Sequence, residues 1–295
     1  MSLIESALEK LRRGADREVD ASLRAETPAV ASVVSAKIPV VPAPAEQTLE
    51  RITIDTAALR SRGYLPELGL ERRFADHYRQ IKRPLIEKAL SGGPEMRILV
   101  VASALPGDGK TFTSINLALS MARERDASVL LIDADGPKAR VSEVLGLKGK
   151  RGLLDALADE SIDVESLVVR TDIRGLELLP AGRFIENATE LLASDRMRQI
   201  VTRIAARNPR RLVLLDSAPL LVSSEARVLH RVAGQVVLVV RAGATPRQAV
   251  SDAIAQVDKS KLQGLIINQA VFRKDGGYYD YGSYGAPGEG AETPD

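Results

Sequence analysis

The sequence predicts an α/β fold with a mainly parallel sheet covered by helices on both faces. Short apolar runs bounded by turn residues recur at positions 98–102, 129–132, 212–215, 236–240 and 265–267. Segments with helical character separate them, for example 187–206 and 246–257. Strands that are apolar on both sides and alternate with helices are typical of a parallel sheet whose two faces are both buried.

A glycine-rich turn follows the first of these apolar runs and precedes a helix-like segment over residues 112–122. It reads Ala104-Leu105-Pro106-Gly107-Asp108-Gly109-Lys110-Thr111, the phosphate-binding pattern G-x-x-x-x-G-K-[ST] with alanine at the first glycine. Backbone N–H groups of such a turn donate to phosphate oxygens. We expect Lys110 at the terminal phosphates and Thr111 at Mg²⁺, as in a P-loop nucleoside triphosphatase. The structural alternative is an ordinary turn with an exposed lysine. The predicted nucleotide-binding residues of this segment are Pro106, Gly107, Asp108, Gly109, Lys110, Thr111 and Phe112.

Composition narrows the classes of protein that fit. Hydrophobic residues make up 45% of the 295 residues but aromatic residues only 3%, so the core must be aliphatic. The net charge of +2 produces no global field for nucleic acid. The absence of cysteine excludes disulfides, zinc–thiolate sites and thiol nucleophiles. No apolar run reaches the roughly 18 residues of a membrane span and no signal peptide is evident, so we expect a cytoplasmic protein without direct membrane insertion.

Changes in composition along the chain predict its organisation. A proline-rich stretch indicates a linker after an amphipathic N-terminal helix, and a helix over 71–90 is expected to be kinked or split at Pro84. The predicted segments are an N-terminal helix (1–26), a flexible linker (27–63), a docking or oligomerisation helix (64–93), the P-loop domain (94–272) and a flexible tyrosine-rich tail (273–295).

Acidic residues end two of the predicted strands. Asp133 and Asp135 follow the run at 129–132, and Asp216 follows the run at 212–215. Ligands of open α/β sheets bind beyond the carboxyl ends of the strands, so these carboxylates are expected to meet the Lys110 turn. Acids in such positions also occur as ordinary helix caps, which is the structural alternative.

These motifs resemble those of the bacterial tyrosine kinases, the autokinases of capsule and exopolysaccharide export. Residues 103–111, 131–135 and 214–219 look like their Walker A, Walker A′ and Walker B motifs. The resemblance spans about 76–284 and is strongest to the stand-alone autokinases of exosortase-associated polysaccharide loci. The arginine usual after the second Walker A′ aspartate is Pro137 here, and Lys138 or Arg140 is a candidate replacement.

The resemblance implies ATP and Mg²⁺ as cofactors and assigns roles to single residues. Lys110 and Thr111 would bind phosphate, and Asp133 would orient or deprotonate the tyrosine hydroxyl, with Lys110 and Asp135 completing the catalytic set. The implied Mg²⁺ site comprises Thr111, Asp133, Asp135 and Asp216. Asn268 is a candidate adenine contact, the alternative being a turn residue at the end of a strand.

A cluster of tyrosines near the C-terminus is the expected phosphoacceptor. It contains Tyr278, Tyr279, Tyr281 and Tyr284, separated only by glycine, serine and aspartate. The resemblance implies that these residues are phosphorylated in trans. A low-complexity end that contacts RNA by stacking is the alternative.

Self-association is expected to involve the helix before the P-loop domain. Asp76, Arg79 and Lys82 repeat every three residues and resemble the Glu-x-x-Arg-x-x-Arg motif that joins subunits of the family into a ring. A solvated charged face is the alternative. The family also implies a transmembrane polysaccharide chain-length regulator as activator, which would hold the protein at the inner membrane.

Two other functions fit a P-loop domain. A partitioning or MinD-like ATPase is expected to carry a signature lysine near the start of the loop, where this chain has Leu105. An ATP-dependent assembly scaffold would bind nucleotide without transferring phosphate.

Overall fold

An eight-stranded sheet runs through residues 50–136 and 138–270, the parts of the chain that the computed structural model describes. Its strands are β1 (Arg51–Ile52), β2 (Ile98–Ser103), β3 (Ser128–Asp133), β4 (Val169–Thr171), β5 (Leu176–Leu179), β6 (Arg211–Asp216), β7 (Gln235–Arg241) and β8 (Leu262–Asn268). Their spatial order is β1-β4-β5-β3-β6-β2-β7-β8, and only β4 and β5 pair antiparallel. All the predicted apolar runs form strands, so the expected mainly parallel sheet is confirmed.

Helices cover both faces of this sheet. They are α1 (Thr56–Ser61), α2 (Glu71–Ser91), α3 (Lys110–Met121), α4 (Arg140–Val144), α5 (Leu153–Ala158), α6 (Ala188–Leu192), α7 (Asp195–Arg207), α8 (Ser224–Val232) and α9 (Arg247–Ala255). Alternate residues of the strands contribute to two different aliphatic clusters, since successive side chains point to opposite faces of the sheet. In β2, Val100 packs with α5–α9 on one face, whereas Val101 packs with α1–α4 on the other.

One helix prediction differs from the structure, and for a second the structure excludes one of two alternatives. The helical stretch expected over 187–206 is two helices, because Ser194 takes an extended backbone and its side chain accepts a hydrogen bond from the N–H of Met197, which starts α7. The helix α2 continues through Pro84 and is not split there.

The predicted linker over 27–63 is wrong for residues 50–63. This segment forms β1, which pairs with β4, and α1, whose Leu59 is buried against the cluster beneath α2 and α3. The N-terminal helix, the rest of that linker and the tyrosine-rich tail lie outside the described residues. Within the described ranges, none of the helices combines the length and the apolar character that crossing a bilayer requires.

A buried histidine lies in the last turn of α8. His230 is 3% exposed, and neither ring nitrogen has a hydrogen-bond partner among the described residues. Burial, with a smaller contribution from Lys261, lowers the pKa of His230 to about 4. The folded protein therefore holds this imidazole neutral while the unfolded chain titrates near the ordinary value of about 6.5.

We expect His230→Leu to reduce the acid sensitivity of folding. Between pH 6.5 and 4 the unfolded wild-type chain binds a proton at this residue that the folded protein does not, so stability falls as pH falls through that window. Urea unfolding at pH 7.5 and 5 should show the wild type losing about 2 kcal/mol more than the variant. The exposed His77→Leu is the matched control, and equal pH dependence in all three proteins would contradict the expectation.

Candidate nucleotide-binding site

A cleft of about 360 Å³ lies at the carboxyl ends of β2 and β3, where open α/β sheets bind ligands. Its lining comprises Tyr64, Ser103, Pro106, Gly107, Asp108, Gly109, Lys110, Thr111, Phe112, Asp135, Lys138, Arg140 and Pro219. All the nucleotide-binding residues predicted in the loop therefore line one cleft. Asp133 and Asp216 lie below its surface, and Asn268 lies behind the loop.

The loop between β2 and α3 has the backbone of a phosphate-binding turn. Gly107 and Gly109 adopt φ angles of 89° and 95°, in the left-handed region that glycine tolerates without a steric penalty. Gly109 also precedes the first residue of α3, and a Cβ atom there would lie 1.9 Å from Nδ2 of Asn268. Backbone conformation and close packing both require glycine at this position.

Asp108 fixes the shape of this loop from within. One carboxylate oxygen accepts a hydrogen bond from the N–H of Leu105 at 2.9 Å, and the other accepts from Oγ1 of Thr245 at 2.6 Å. Its backbone oxygen accepts from Nδ2 of Asn268 at 3.0 Å. The loop is thereby tied to the β7–α9 connection and to the end of β8. Thr245 was not predicted, because no local motif links it to a loop so distant in sequence.

The ammonium group of Lys110 lies between two carboxylates. Its Nζ is 3.0 Å from Oδ1 of Asp216 and 3.6 Å from Oδ2 of Asp135. Burial by itself would lower the pKa of Lys110, but the charges of Asp216 and Asp135 outweigh it and raise that pKa above its ordinary value. Lys110 is therefore a permanent cation at the base of the cleft.

Asp216 is the centre of this arrangement. Besides the ion pair with Lys110, its carboxylate accepts hydrogen bonds from Oγ1 of Thr111 at 2.8 Å and from Oγ of Ser114 at 2.9 Å. Ser114 was not predicted, although its position four residues after Lys110 places it on the same side of α3. These three donors compensate for the complete burial of the Asp216 carboxylate.

The residues present fit a Mg²⁺ ion that is shared with nucleotide phosphates. Thr111, Asp135 and Asp216 supply hard oxygen ligands, of the kind that Mg²⁺ prefers. Among the described residues, no group of three or more acidic or histidine side chains is arranged to hold a metal alone. Mg²⁺ usually takes one or two carboxylates together with phosphate and water.

Asp133 faces Asp216 across the β3–β6 pair, and its carboxylate is held in one orientation. Its Oδ2 accepts hydrogen bonds from both the backbone N–H and Oγ of Ser142, each at 2.7 Å. Burial, followed by the charge of Asp216, raises the pKa of Asp133 to about 7. A carboxylate with that pKa is suited to accept a proton near neutral pH. Ser142 was not predicted, since it lies nine residues after Asp133 on a separate helix.

Comparison with known proteins extends these observations. A family model described as "AAA domain" matches residues 96–270. Tyrosine-protein kinase YwqD of Bacillus subtilis is 34% identical over 214 residues, which cover 72% of this chain and 86% of that protein. The chain belongs to the bacterial tyrosine-protein kinase family.

Two further similarities agree with this family. Tyrosine-protein kinase wzc of Salmonella typhimurium is 33% identical over 189 residues, covering 63% of this chain and 26% of that protein. The chain thus matches about a quarter of that relative's length. The crystallised kinase domain of Escherichia coli tyrosine kinase ETK aligns with a TM-score of 0.60 at 25% identity, over 75% of this chain and 98% of that domain.

Two basic residues of this kinase-family chain border the cleft after the Walker A′ motif. Lys138 and Arg140 both line it, one residue on each side of Ala139, which has a left-handed φ of 43°. Arg140 also contacts Glu143 at 3.3 Å on the exposed side. Both candidate replacements for the family's arginine therefore reach the cleft.

The three predicted ring residues do not share one exposed face. Asp76 and Arg79 form a 2.5 Å ion pair at the surface of α2. Lys82 is buried instead, and its Nζ contacts the backbone oxygen of Ser120 at 2.5 Å and Glu124 at 2.7 Å. The expectation is wrong for Lys82 because steps of three residues turn the side chain by about 300°, so the third member rotates inward.

We expect Asn268→Ala to weaken ATP and GTP binding by a similar factor of about five, because one loop-supporting hydrogen bond is lost in both cases. Titration with fluorescent analogues of the two nucleotides measures this. Gln263→Ala, on the same strand but away from the loop, is the control. A loss confined to ATP would instead support the predicted adenine contact.

Proposed function

We propose that this chain is an ATP-dependent protein-tyrosine autokinase that phosphorylates its own C-terminal tyrosines in trans. In this proposal it regulates the synthesis and export of an exopolysaccharide or capsule. The observation that carries the proposal is the meeting of Lys110 with Asp135 and Asp216 at the P-loop of a tyrosine-kinase family member. Phosphoryl transfer depends mainly on such positioning and charge neutralisation.

In this proposal, different residues of the cleft bind the phosphates and the metal ion. Backbone N–H groups of residues 107–111 and the ammonium of Lys110 would bind the phosphates of ATP, with Thr111, Asp135 and Asp216 as Mg²⁺ ligands. When bound, Mg²⁺ neutralises charge on the transferred phosphoryl group. Asp216 lies within 3.0 Å of Lys110, so it also holds that ammonium in place beneath the phosphates.

Asp133 is proposed to accept the proton of the tyrosine hydroxyl. Its raised pKa and its fixed orientation on Ser142 support this role. The side chain lies below the cleft surface, where its Oδ1 accepts a hydrogen bond from the backbone N–H of Asp135 at 3.3 Å. Asp135 and Lys110 would stabilise the charge that develops during transfer.

The proposed acceptors are Tyr278, Tyr279, Tyr281 and Tyr284. Glycine flanks the tyrosines in the sequence, and glycine imposes little steric restriction on the backbone of an acceptor that must enter a cleft. The chain reaches its last described residue at the end of β8, whose Asn268 contacts the P-loop. A neighbouring molecule's cleft is the natural target in a ring of several copies.

Ring formation and a membrane partner complete the proposal. Asp76 and Arg79 remain exposed on α2 and are the candidate contacts between subunits, without Lys82. A transmembrane chain-length regulator is proposed as the activator, which would place the kinase peripherally at the inner membrane.

The side chain of Leu105 argues against a partitioning ATPase. It packs on the aliphatic cluster beneath the sheet and carries no charge to offer a second subunit. A scaffold without phosphate transfer would bind ATP through the same cleft, so only an assay of transfer distinguishes it from a kinase.

We expect Lys110→Met to reduce tyrosine phosphorylation by at least about 100-fold, because the cation at the phosphates is lost. Anti-phosphotyrosine detection of the purified full chain, with Mg²⁺ and ATP, measures this. The variant with Phe at positions 278, 279, 281 and 284 should also lose the signal, whereas exposed Lys148→Met should keep it.

The results of these assays distinguish transfer in trans from other activities. Mixing Lys110→Met with the tail-Phe variant should restore the signal on the Lys110→Met chain only if transfer occurs in trans. Release of inorganic phosphate without tyrosine label would identify an ATPase, and persistent label in Lys110→Met alone would contradict the assigned site.

A further inference from the structure

A second cleft lies at the amino ends of the strands, opposite to the carboxyl ends that form the nucleotide site. It has a volume of about 560 Å³ and is formed by three connections, at 122–128, 173–175 and 208–210. These connections lead into the amino ends of β3, β5 and β6, whereas the P-loop lies at the carboxyl ends. The six residues of β3 separate the two edges by about 20 Å.

Four exposed arginines surround this second cleft, which we call the arginine cleft: Arg123, Arg125, Arg174 and Arg210. Across residues 50–136 and 138–270, none of the four guanidinium groups forms an ion pair or a side-chain hydrogen bond. The acidic residues of the cleft are Glu124 and Asp126, and Glu124 is engaged by Lys82 at 2.7 Å. The lining therefore carries four guanidinium groups against two carboxylates, one of which is paired with Lys82.

Helix termini account for only part of this excess, because Arg210 follows the end of α7 but the other three arginines are not explained in this way. Cations are favoured at helix C-termini, and Arg123 and Arg125 follow the end of α3. The C-terminal end of α3 already has a cation, however, because Nζ of Lys82 donates a hydrogen bond to the carbonyl oxygen of Ser120 at 2.5 Å. Arg174 precedes a strand and belongs to no helix end. A concave surface ringed by unpaired guanidinium groups is suited to a multiply charged anion.

We propose that the arginine cleft binds the phosphorylated tyrosine segment, residues 278–284, of a second copy of this chain. The inference rests on the proposed function for the origin of the phosphate groups. Guanidinium groups bind phosphate through paired N–H donors, and arginine clusters are a recurrent means of recognising phosphorylated motifs.

The charge of the C-terminal segment is opposite to that of the arginine cleft. Residues 273–295 contain two basic residues against five acidic ones. Four phosphotyrosines add about −6 to −8 charges at neutral pH. The segment therefore becomes much more complementary to the arginine cleft when it is phosphorylated, and less compatible with the carboxylates around Lys110.

The reach of Tyr278, the first residue of the segment, favours a second copy as its source. Tyr278 lies eight residues beyond Ala270, a span of at most about 28 Å. Four strand spacings, about 19 Å, separate β8 from β3 across the sheet. The carboxyl and amino ends of the strands are about 20 Å apart. The path around the molecule is longer than Tyr278 can span within its own chain, so a segment that binds from Tyr278 onward comes from a second copy. Tyr284, fourteen residues beyond Ala270, spans up to about 49 Å.

Binding of a synthetic phosphopeptide tests this inference. The probe is a fluorescent peptide of residues 273–289 with phosphate on all four tyrosines, added to the phosphatase-treated full chain at 150 mM salt. We expect Arg174→Gln combined with Arg210→Gln to weaken binding at least tenfold, and the unphosphorylated peptide to bind at least tenfold more weakly than the phosphorylated one. Arg227→Gln combined with Arg247→Gln removes the same charge from α8 and α9 and should change affinity less than twofold.

The alternative outcomes overturn the inference in different ways. An equal loss in both arginine pairs would indicate unspecific attraction, and loss in Lys110→Met or with Mg²⁺ and ATP would place the peptide in the nucleotide cleft. Preferential binding of anionic lipid vesicles through the same arginines would assign the cleft to a membrane. Because the peptide is phosphorylated chemically, failure of binding by an active kinase overturns this inference alone. Failure of autophosphorylation with intact peptide binding overturns only the proposed function.

Discussion

The buried ion pair between Lys110 and Asp216 is the interaction on which the site depends. It joins the first residue of α3 to the last residue of β6, at 3.0 Å. Both side chains are almost fully buried, and two buried charges are tolerable only when each finds close partners. The hydroxyl groups of Thr111 and Ser114 complete the shell of Asp216. Loss of either charge would leave the other without its closest partner in the core.

The parallel strands make this pair possible. The central strands β2, β3 and β6 are adjacent and nearly wholly buried, so their carboxyl ends are fixed relative to one another. The P-loop leaves from β2, and Asp133 and Asp216 face each other at the ends of β3 and β6. The sheet itself therefore sets the separations between these carboxylates and the P-loop.

The central sheet and the loop were predictable from sequence because each is encoded locally. An apolar run of three to five residues predicts a buried strand, and glycine before Lys-Thr predicts a phosphate turn. The short strands β4 and β5 alternate charged with apolar residues and were missed, as were β1 and α1, whose burial depends on distant partners. Lys82 and Thr245 were beyond prediction for the same reason, because their roles arise only when remote segments meet.

One hydrogen bond links the end of the last strand to the phosphate loop. Asn268 closes the last strand and holds the backbone of Asp108, while Arg241 donates to Gln269 one residue later. Gln269 has a left-handed φ of 55°, so the chain turns sharply as it leaves the sheet. The position of the chain where it leaves β8 is consequently coupled, through one side-chain amide, to the backbone of the phosphate loop.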